Sequence, residues 1–385
     1  MGYRKIKAAR IFTGKKFAPE GSVLVTLENG QVEGIIQESV AGEGIETVSG
    51  ILSPGFINAH CHLELSHMAG IIPRGTGMVE FLLAVMQQRN TGQEKIQAAI
   101  ENAEAFMLNN GIVAVGDICN TTDTLRRKQD KKLTYVNFIE CSGFVPASAR
   151  DRYAAAEQLL DQMAATGKSS IVPHAPYSVS ADLFTLIMHG STGKVTTMHN
   201  QESQAENEFF LTGHGPFQRL FTAIGVDISF FNAPQKTSLL AVWPAIESAW
   251  KLILVHNTVT SQEDLDAIQQ TLKWNNKGQE IYFCLCPNAN IYIGNQLPPV
   301  PIFMQNQCKI VLGTDSLSSN KQLSILEEIR ILLSAFPEIG LEAALGWATL
   351  NGAEALGISD VFGSFGKGKK PGLVQIEDWK ATRIL

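Results

Sequence analysis

The chain has 385 residues, 45% hydrophobic and 18% charged, with a net charge of -6, an ordinary globular composition with material for a large core. No run of about 18 uninterrupted apolar residues is present, which argues against a membrane span. The basic cluster Arg4, Lys5, Lys7, Arg10, Lys15 and Lys16 alternates with Ile6, Ala8, Ile11 and Phe12, as on the solvated face of strands, which argues against nucleic-acid binding.

Residues 1–50 alternate short strand-like runs with turns. Ser22–Leu27, the turn Glu28-Asn29-Gly30 and the run Gln31–Ile36 predict a β-hairpin. The tail from Gly363 is again turn-rich and carries one short strand, Leu373–Ile376. A small β domain is expected from residues 1–50 together with 363–385. In between, apolar strands at 54–59, 112–117, 133–139, 170–174, 195–199, 252–256, 281–286 and 309–314 alternate with helical stretches at 78–90, 93–110, 151–165, 180–189, 204–212, 237–250, 261–274 and 322–335. Eight strands, with helices between most of them and after the last, predict an α/β fold, a (β/α)8 TIM barrel over 51–362, with its active site at the C-terminal strand ends. An open doubly wound sheet is the alternative, but no Gly-x-Gly-x-x-Gly follows any strand. The segment 200–236 is longer than a plain βα loop and reads as a lid or as packing against the barrel. Six cysteines without a Cys-x-x-Cys pair read as reduced thiols of a cytoplasmic protein, and the N-terminal residues have no signal-peptide core.

The strand ends carry the chemistry. His60 and His62 close the first strand two residues apart, so both rings reach one side, and imidazole is a common metal ligand. Cys61 between them points the other way, as packing. His174 ends the fourth strand and His199 the fifth, with Glu202 three residues on. His256 ends the sixth strand, and Asp315 follows the eighth, where a carboxylate needs a cation or several donors.

At Pro54-Gly55-Phe56-Ile57-Asn58-Ala59-His60-Cys61-His62, Pro173-His174-Ala175-Pro176-Tyr177-Ser178, His199-x-x-Glu202, His256 and Gly313-Thr314-Asp315-Ser316, the sequence resembles the amidohydrolase superfamily. The branch it resembles is the mononuclear one of cytosine-, guanine- and adenosine-type deaminases and chlorohydrolases. The resemblance implies one divalent metal, zinc with iron as the alternative, held by His60, His62, His199 and Asp315. It also implies catalytic roles for Glu202, His256 and Asp315. Binuclear relatives carry a carboxylated lysine at the fourth strand end; Ser170–His174 has none, which favours a single metal. Lys369-Lys370-Pro371-Gly372 departs from the family's usual tail, away from the site. The implied reaction is hydrolytic deamination of an amino-purine nucleoside or base, aminodeoxyfutalosine- or thio-adenosine-like compounds included. Water activated by the metal attacks the ring carbon and ammonia leaves. Asp315 would take the water's proton, Glu202 would move one to the ring nitrogen, and His256 would bond the attacking oxygen. His174 would contact the base. Glu80 sits where nucleoside-deaminating relatives place a glutamate on the ribose hydroxyls; its plainer reading is an exposed helix residue. The partner is then a small heterocyclic substrate, with no nucleic acid and no membrane, and a homodimer is left open. Two other readings stand beside this one: hydrolysis of a C–N or C–Cl bond on a triazine or imidazolone, and a barrel that binds without turnover.

Overall fold

The N-terminal runs fold as strands β1 (Tyr3–Lys7), β2 (Arg10–Ile11), β3 (Ser22–Leu27), β4 (Val32–Gln37), β5 (Ile45–Thr47) and β6 (Ile51–Pro54). They are taken from a computed structural model that describes residues 2–275 and 279–385. β3 and β4 form the expected antiparallel hairpin, and a one-turn helix at Glu38–Ala41, too short to show a period, follows it. The basic cluster lies on this β unit. Arg4 holds Glu46 through two hydrogen bonds of 3.0 and 2.7 Å, and Lys7 meets Glu38 at 2.6 Å.

The central strands are β7 (Phe56–Cys61), β8 (Ile112–Cys119), β9 (Thr134–Cys141), β10 (Gly167–Pro173), β11 (Val195–Asn200), β12 (Lys251–His256), β13 (Glu280–Leu285) and β14 (Lys309–Leu312). The tail adds β15 (Leu373–Glu377) and β16 (Lys380–Arg383). β7 to β10 form one parallel sheet and β11 to β14 another. Two seams join them into a barrel. At one, Ser170 Oγ donates to the Val195 carbonyl at 2.7 Å, and His199 N donates to the His174 carbonyl at 2.9 Å. At the other, Thr314 N and Asp315 N both donate to the His60 carbonyl at 3.1 Å. β15 runs antiparallel to β6 and β16, so the two chain ends share a small sheet of order β16-β15-β6-β2. Among the described residues no helix is long and apolar enough to cross a membrane.

Period-two alternation sorts the barrel side chains into two apolar layers. Ile57, Ala59, Val136, Phe138, Ile253 and Val255 share one cluster with Ala353, Leu356 and Ile358. Lys168 Nζ and Lys251 Nζ, at the starts of their strands, bond the carbonyls of Gly357 and Glu354, so this late segment plugs the N-terminal end of the barrel. Leu252, Leu254, Phe283, Leu285, Ile310 and Leu312 belong to the outer cluster, packed with helical residues such as Phe303 and Ile329. Among the helices not expected from the sequence are Pro216–Ala223, Pro287–Gly294 and Val300–Gln305. Each has proline in its first turn. Proline is tolerated there because that N–H lacks an intrahelical partner anyway, yet in a sequence it reads as a break.

A charge pair is buried in the wall of the first sheet. Lys128 Nζ lies 2.5 Å from Asp117 Oδ2, both side chains fully buried, and it also donates to Asn137 Oδ1 at 2.9 Å. Asp117 Oδ1 accepts from Leu63 N at 2.9 Å, directly after His62. Removing one partner strands a buried charge, so Lys128→Met is expected to lower stability by about 3–5 kcal/mol, read from urea unfolding. A loss under about 1 kcal/mol would mean that the pair is not a structural anchor.

Candidate active site

Simple alternation brings three side chains to the open, C-terminal mouth. Glu140 follows Val136 and Phe138, His174 follows Val172, and His199 follows Val195 on the inner face. His60 and His256 have the other parity: Phe56 and Leu254, on their side of the strand, pack outward. Two backbone irregularities re-aim them. The β7–β8 register shifts between Asn58 and Cys61, a device that redirects side chains near active sites; Cys61 is left in the outer cluster. His256 has φ 74°, Asn257 56° and Asp315 56°, left-handed values that non-glycine residues adopt only where the surroundings hold them. Asn257 N donates to the Asn200 carbonyl at 3.0 Å, and Asp315 N is fixed on His60 as above. Gly313 permits the close approach of β14 to β7. A Cβ there would stand 2.8 Å from His60 Cβ and 2.9 Å from both Cys284 Sγ and the His60 carbonyl oxygen. Gly313→Ala is therefore expected to displace His60 and weaken metal retention by at least about tenfold, measured by equilibrium dialysis. Unchanged retention would show that the seam can give way.

Four ligand-type groups converge at the mouth. His62 Nε2 and His199 Nε2 are 3.2 Å apart, and Asp315 Oδ1 lies 3.6 Å from His60 Nε2 and 3.5 Å from His62 Nε2. His199 Nδ1 sits 2.9 Å from the His174 carbonyl. A carbonyl only accepts, so Nδ1 carries the hydrogen and Nε2 presents a bare lone pair. Both ring nitrogens of His60 are buried without a hydrogen-bond partner among the described residues. At 3.2 Å His62 Nε2 can donate to that lone pair or, in its other tautomer, turn its own lone pair onto a cation shared with His199. A tetrahedral zinc with bonds of about 2.0–2.1 Å sets its ligands about 3.3–3.4 Å apart. The spacings therefore fit a single such ion, and the three histidines form a candidate metal site. Burial pushes the imidazole of His62 down to about 3, and those of His60 and His256 also below their usual values. The rings are therefore neutral, as metal ligation requires.

Beside this cluster stands a carboxylate–imidazole pair. Glu202 Oε1 is 3.5 Å from His256 Nε2, whose other nitrogen accepts from Asn290 Nδ2 at 3.1 Å. Burial, then the charges of Asp315 and Glu206, push the Glu202 carboxyl well above the usual carboxylate range. Asp315 behaves oppositely. Burial alone would raise it, but the close approach of His60, at 3.6 Å, and the nearby His62 and His256 hold it well below its usual value. Ser319 Oγ bonds Asp315 Oδ2 at 2.5 Å, leaving Oδ1 toward the histidines.

These groups line a cavity of about 400 Å³, within the range of small-molecule sites. His62, His174, His199, Glu202, His256 and Asp315 all face it, and Leu65, Phe81, Phe144 and Phe221 form its apolar side. Phe221, from the helix Pro216–Ala223, stacks on Phe144 at 4.9 Å, so the long segment 200–236 walls the cavity. Glu80 does not line this cavity. It faces a neighbouring one that also reaches Glu202, and it pairs with Arg219 at the surface. Sequence reasoning missed Glu140 and Asn120, which line the main cavity. For Glu140 the signal was present: a carboxylate at the end of an apolar strand, as at Asp315. Glu64 was also missed. It is buried and accepts the backbone N–H groups of Asn120 and Thr121 at 3.0 and 2.9 Å, which shapes the loop after β8.

Residues 51–384 match the profile of the Amidohydrolase family. The chain is 27% identical over 319 residues to an adenosine deaminase of Helicobacter pylori, covering 80% of this chain and 75% of the relative. The crystal structure of Helicobacter pylori aminofutalosine deaminase in complex with methylthio-coformycin superposes with a TM-score of 0.81 at 23% identity, over 97% of this chain and 93% of that one. An adenosine deaminase from Xanthomonas campestris with bound zinc superposes with a TM-score of 0.69 at 22% identity, over 96% of this chain and 83% of that one.

Proposed function

The chain belongs to the amidohydrolase family, and from that membership we propose that it is a metal-dependent hydrolase that deaminates an adenine-type nucleoside. The observation that carries this reading is the meeting of His62, His199 and Asp315, backed by the buried His60, with the Glu202–His256 pair in one cavity of nucleoside size. The Helicobacter relatives, named for adenosine and aminofutalosine, support the substrate class.

In this reading His60, His62, His199 and Asp315 hold one divalent ion, zinc by the nitrogen-and-oxygen donor set. When bound, such an ion supplies acidified water near neutral pH. The remaining work falls to the protein. Glu202 holds a proton and delivers it to the ring nitrogen beside the reacting carbon, which makes that carbon electron-poor. Asp315, held ionised, receives a proton from the attacking water and passes it toward the departing amine. His256, fixed by Asn290, hydrogen-bonds the attacking oxygen. His174 meets a ring nitrogen on the far side of the base. For Glu80 to read the sugar, its pair with Arg219 would have to open. The test is ammonia release from adenosine, 5′-methylthioadenosine, free adenine and an amino-triazine by the zinc-loaded protein. Turnover of the nucleosides above the free base is expected. Turnover of the triazine alone would overturn the nucleoside reading.

A further inference from the structure

Glu140 is a polar group in the cavity that the mechanism leaves unused. It stands above Phe138 on β9 with its side chain 7% exposed. Its two oxygens are employed unequally. Oε2 accepts from Asn120 Nδ2 at 3.0 Å, whereas Oε1 is buried with no hydrogen-bond partner among the described residues. His199 Nδ1 is 3.4 Å away, but its hydrogen points to the His174 carbonyl at 2.9 Å. A buried acceptor without a donor is costly, so whatever fills the cavity must bring the hydrogen.

A carboxylate oxygen of Glu140 and a ring nitrogen of His174 lie within 4.8 Å of each other. A second metal fits poorly there. His199 has committed Nδ1, which leaves two side-chain ligands where zinc sites use three or four. A substrate donor fits better. The amine on the reacting carbon is excluded, because it must gain a proton to leave and an acceptor would oppose that. In a purine nucleoside the sugar is joined to the ring next to the nitrogen on the far side from the reacting carbon, the one assigned to His174. We propose that Glu140 is a specificity residue whose free oxygen accepts a hydrogen bond from a sugar hydroxyl, and whose charge excludes substrates with a carboxylate at that place. This rests on the nucleoside reading above.

The test compares adenosine with its 2′-, 3′- and 5′-deoxy counterparts in the zinc-loaded wild type and in Glu140→Leu, with Glu140→Gln as the shape-conserving variant should the first fail to fold. In the wild type, loss of the partner hydroxyl is expected to lower kcat/KM about 10- to 100-fold, mostly through KM. In the leucine variant the same deletion should make no difference, with zinc still near one per chain. An equal loss by the variant on all four substrates overturns the proposal, as does a second equivalent of metal that disappears with Glu140. If the wild type deaminates none of the four, the functional reading falls by itself. Calorimetric binding of the same compounds then decides on Glu140: affinity coupled to one hydroxyl supports it, and no coupling overturns it.

Discussion

Glu202→Gln is expected to retain its metal and lose at least about 10²-fold in turnover. The side chain is buried and held at 3.5 Å from His256, and its backbone N–H is anchored on Glu206 Oε2 at 3.2 Å. Glutamine fills the same volume and keeps those backbone contacts, so substrate should still bind and KM should change little. What it cannot do is hold an acidic proton and take another back in each cycle. Metal analysis beside steady-state kinetics on a substrate found by the ammonia assay separates the outcomes. Near-normal turnover would remove Glu202 from proton transfer. Loss of metal would make it a structural support of the site.

His60→Ala should abolish metal retention. His60 is fully buried, its ring lies 4.9 Å from those of both His62 and His199, and its nitrogens bond nothing else among the described residues. Removing it therefore costs the metal-free fold little beyond a cavity. The holoprotein loses what ligand binding adds, about 2.7 kcal/mol at a hundredfold excess over Kd. Zinc should raise the thermal midpoint of the wild type and leave that of the variant unchanged, with wild-type content near one ion per chain. Two tightly held ions in the wild type would contradict a single site, and an equal thermal shift in both proteins would remove His60 from it.

The sequence by itself determined the barrel and pointed to most of the polar residues that meet at its mouth. Alternating βα periods located all eight strands to within a few residues, because most strands are apolar on both faces and most of the helices between them are long enough to repeat. Histidines and carboxylates at strand ends could be read as a site because they interrupt apolar runs where burial would penalise them. The same logic applied to Phe138-Ile139-Glu140 would have exposed Glu140. Three kinds of feature were decided only in three dimensions. The proline-started helices 216–223, 287–294 and 300–305 gain their order from packing, since proline alone suggests a break. The pairing of Lys128 with Asp117 joins the short helix Leu125–Gln129 to β8, and no local pattern announces it. The aim of His60 and His256 depends on a register shift and on left-handed backbone at residue 256, against the parity their strands dictate. Those conformations are costly for an isolated chain; they persist because neighbouring strand ends bond the backbone in place, and a sequence does not record which neighbours it will meet.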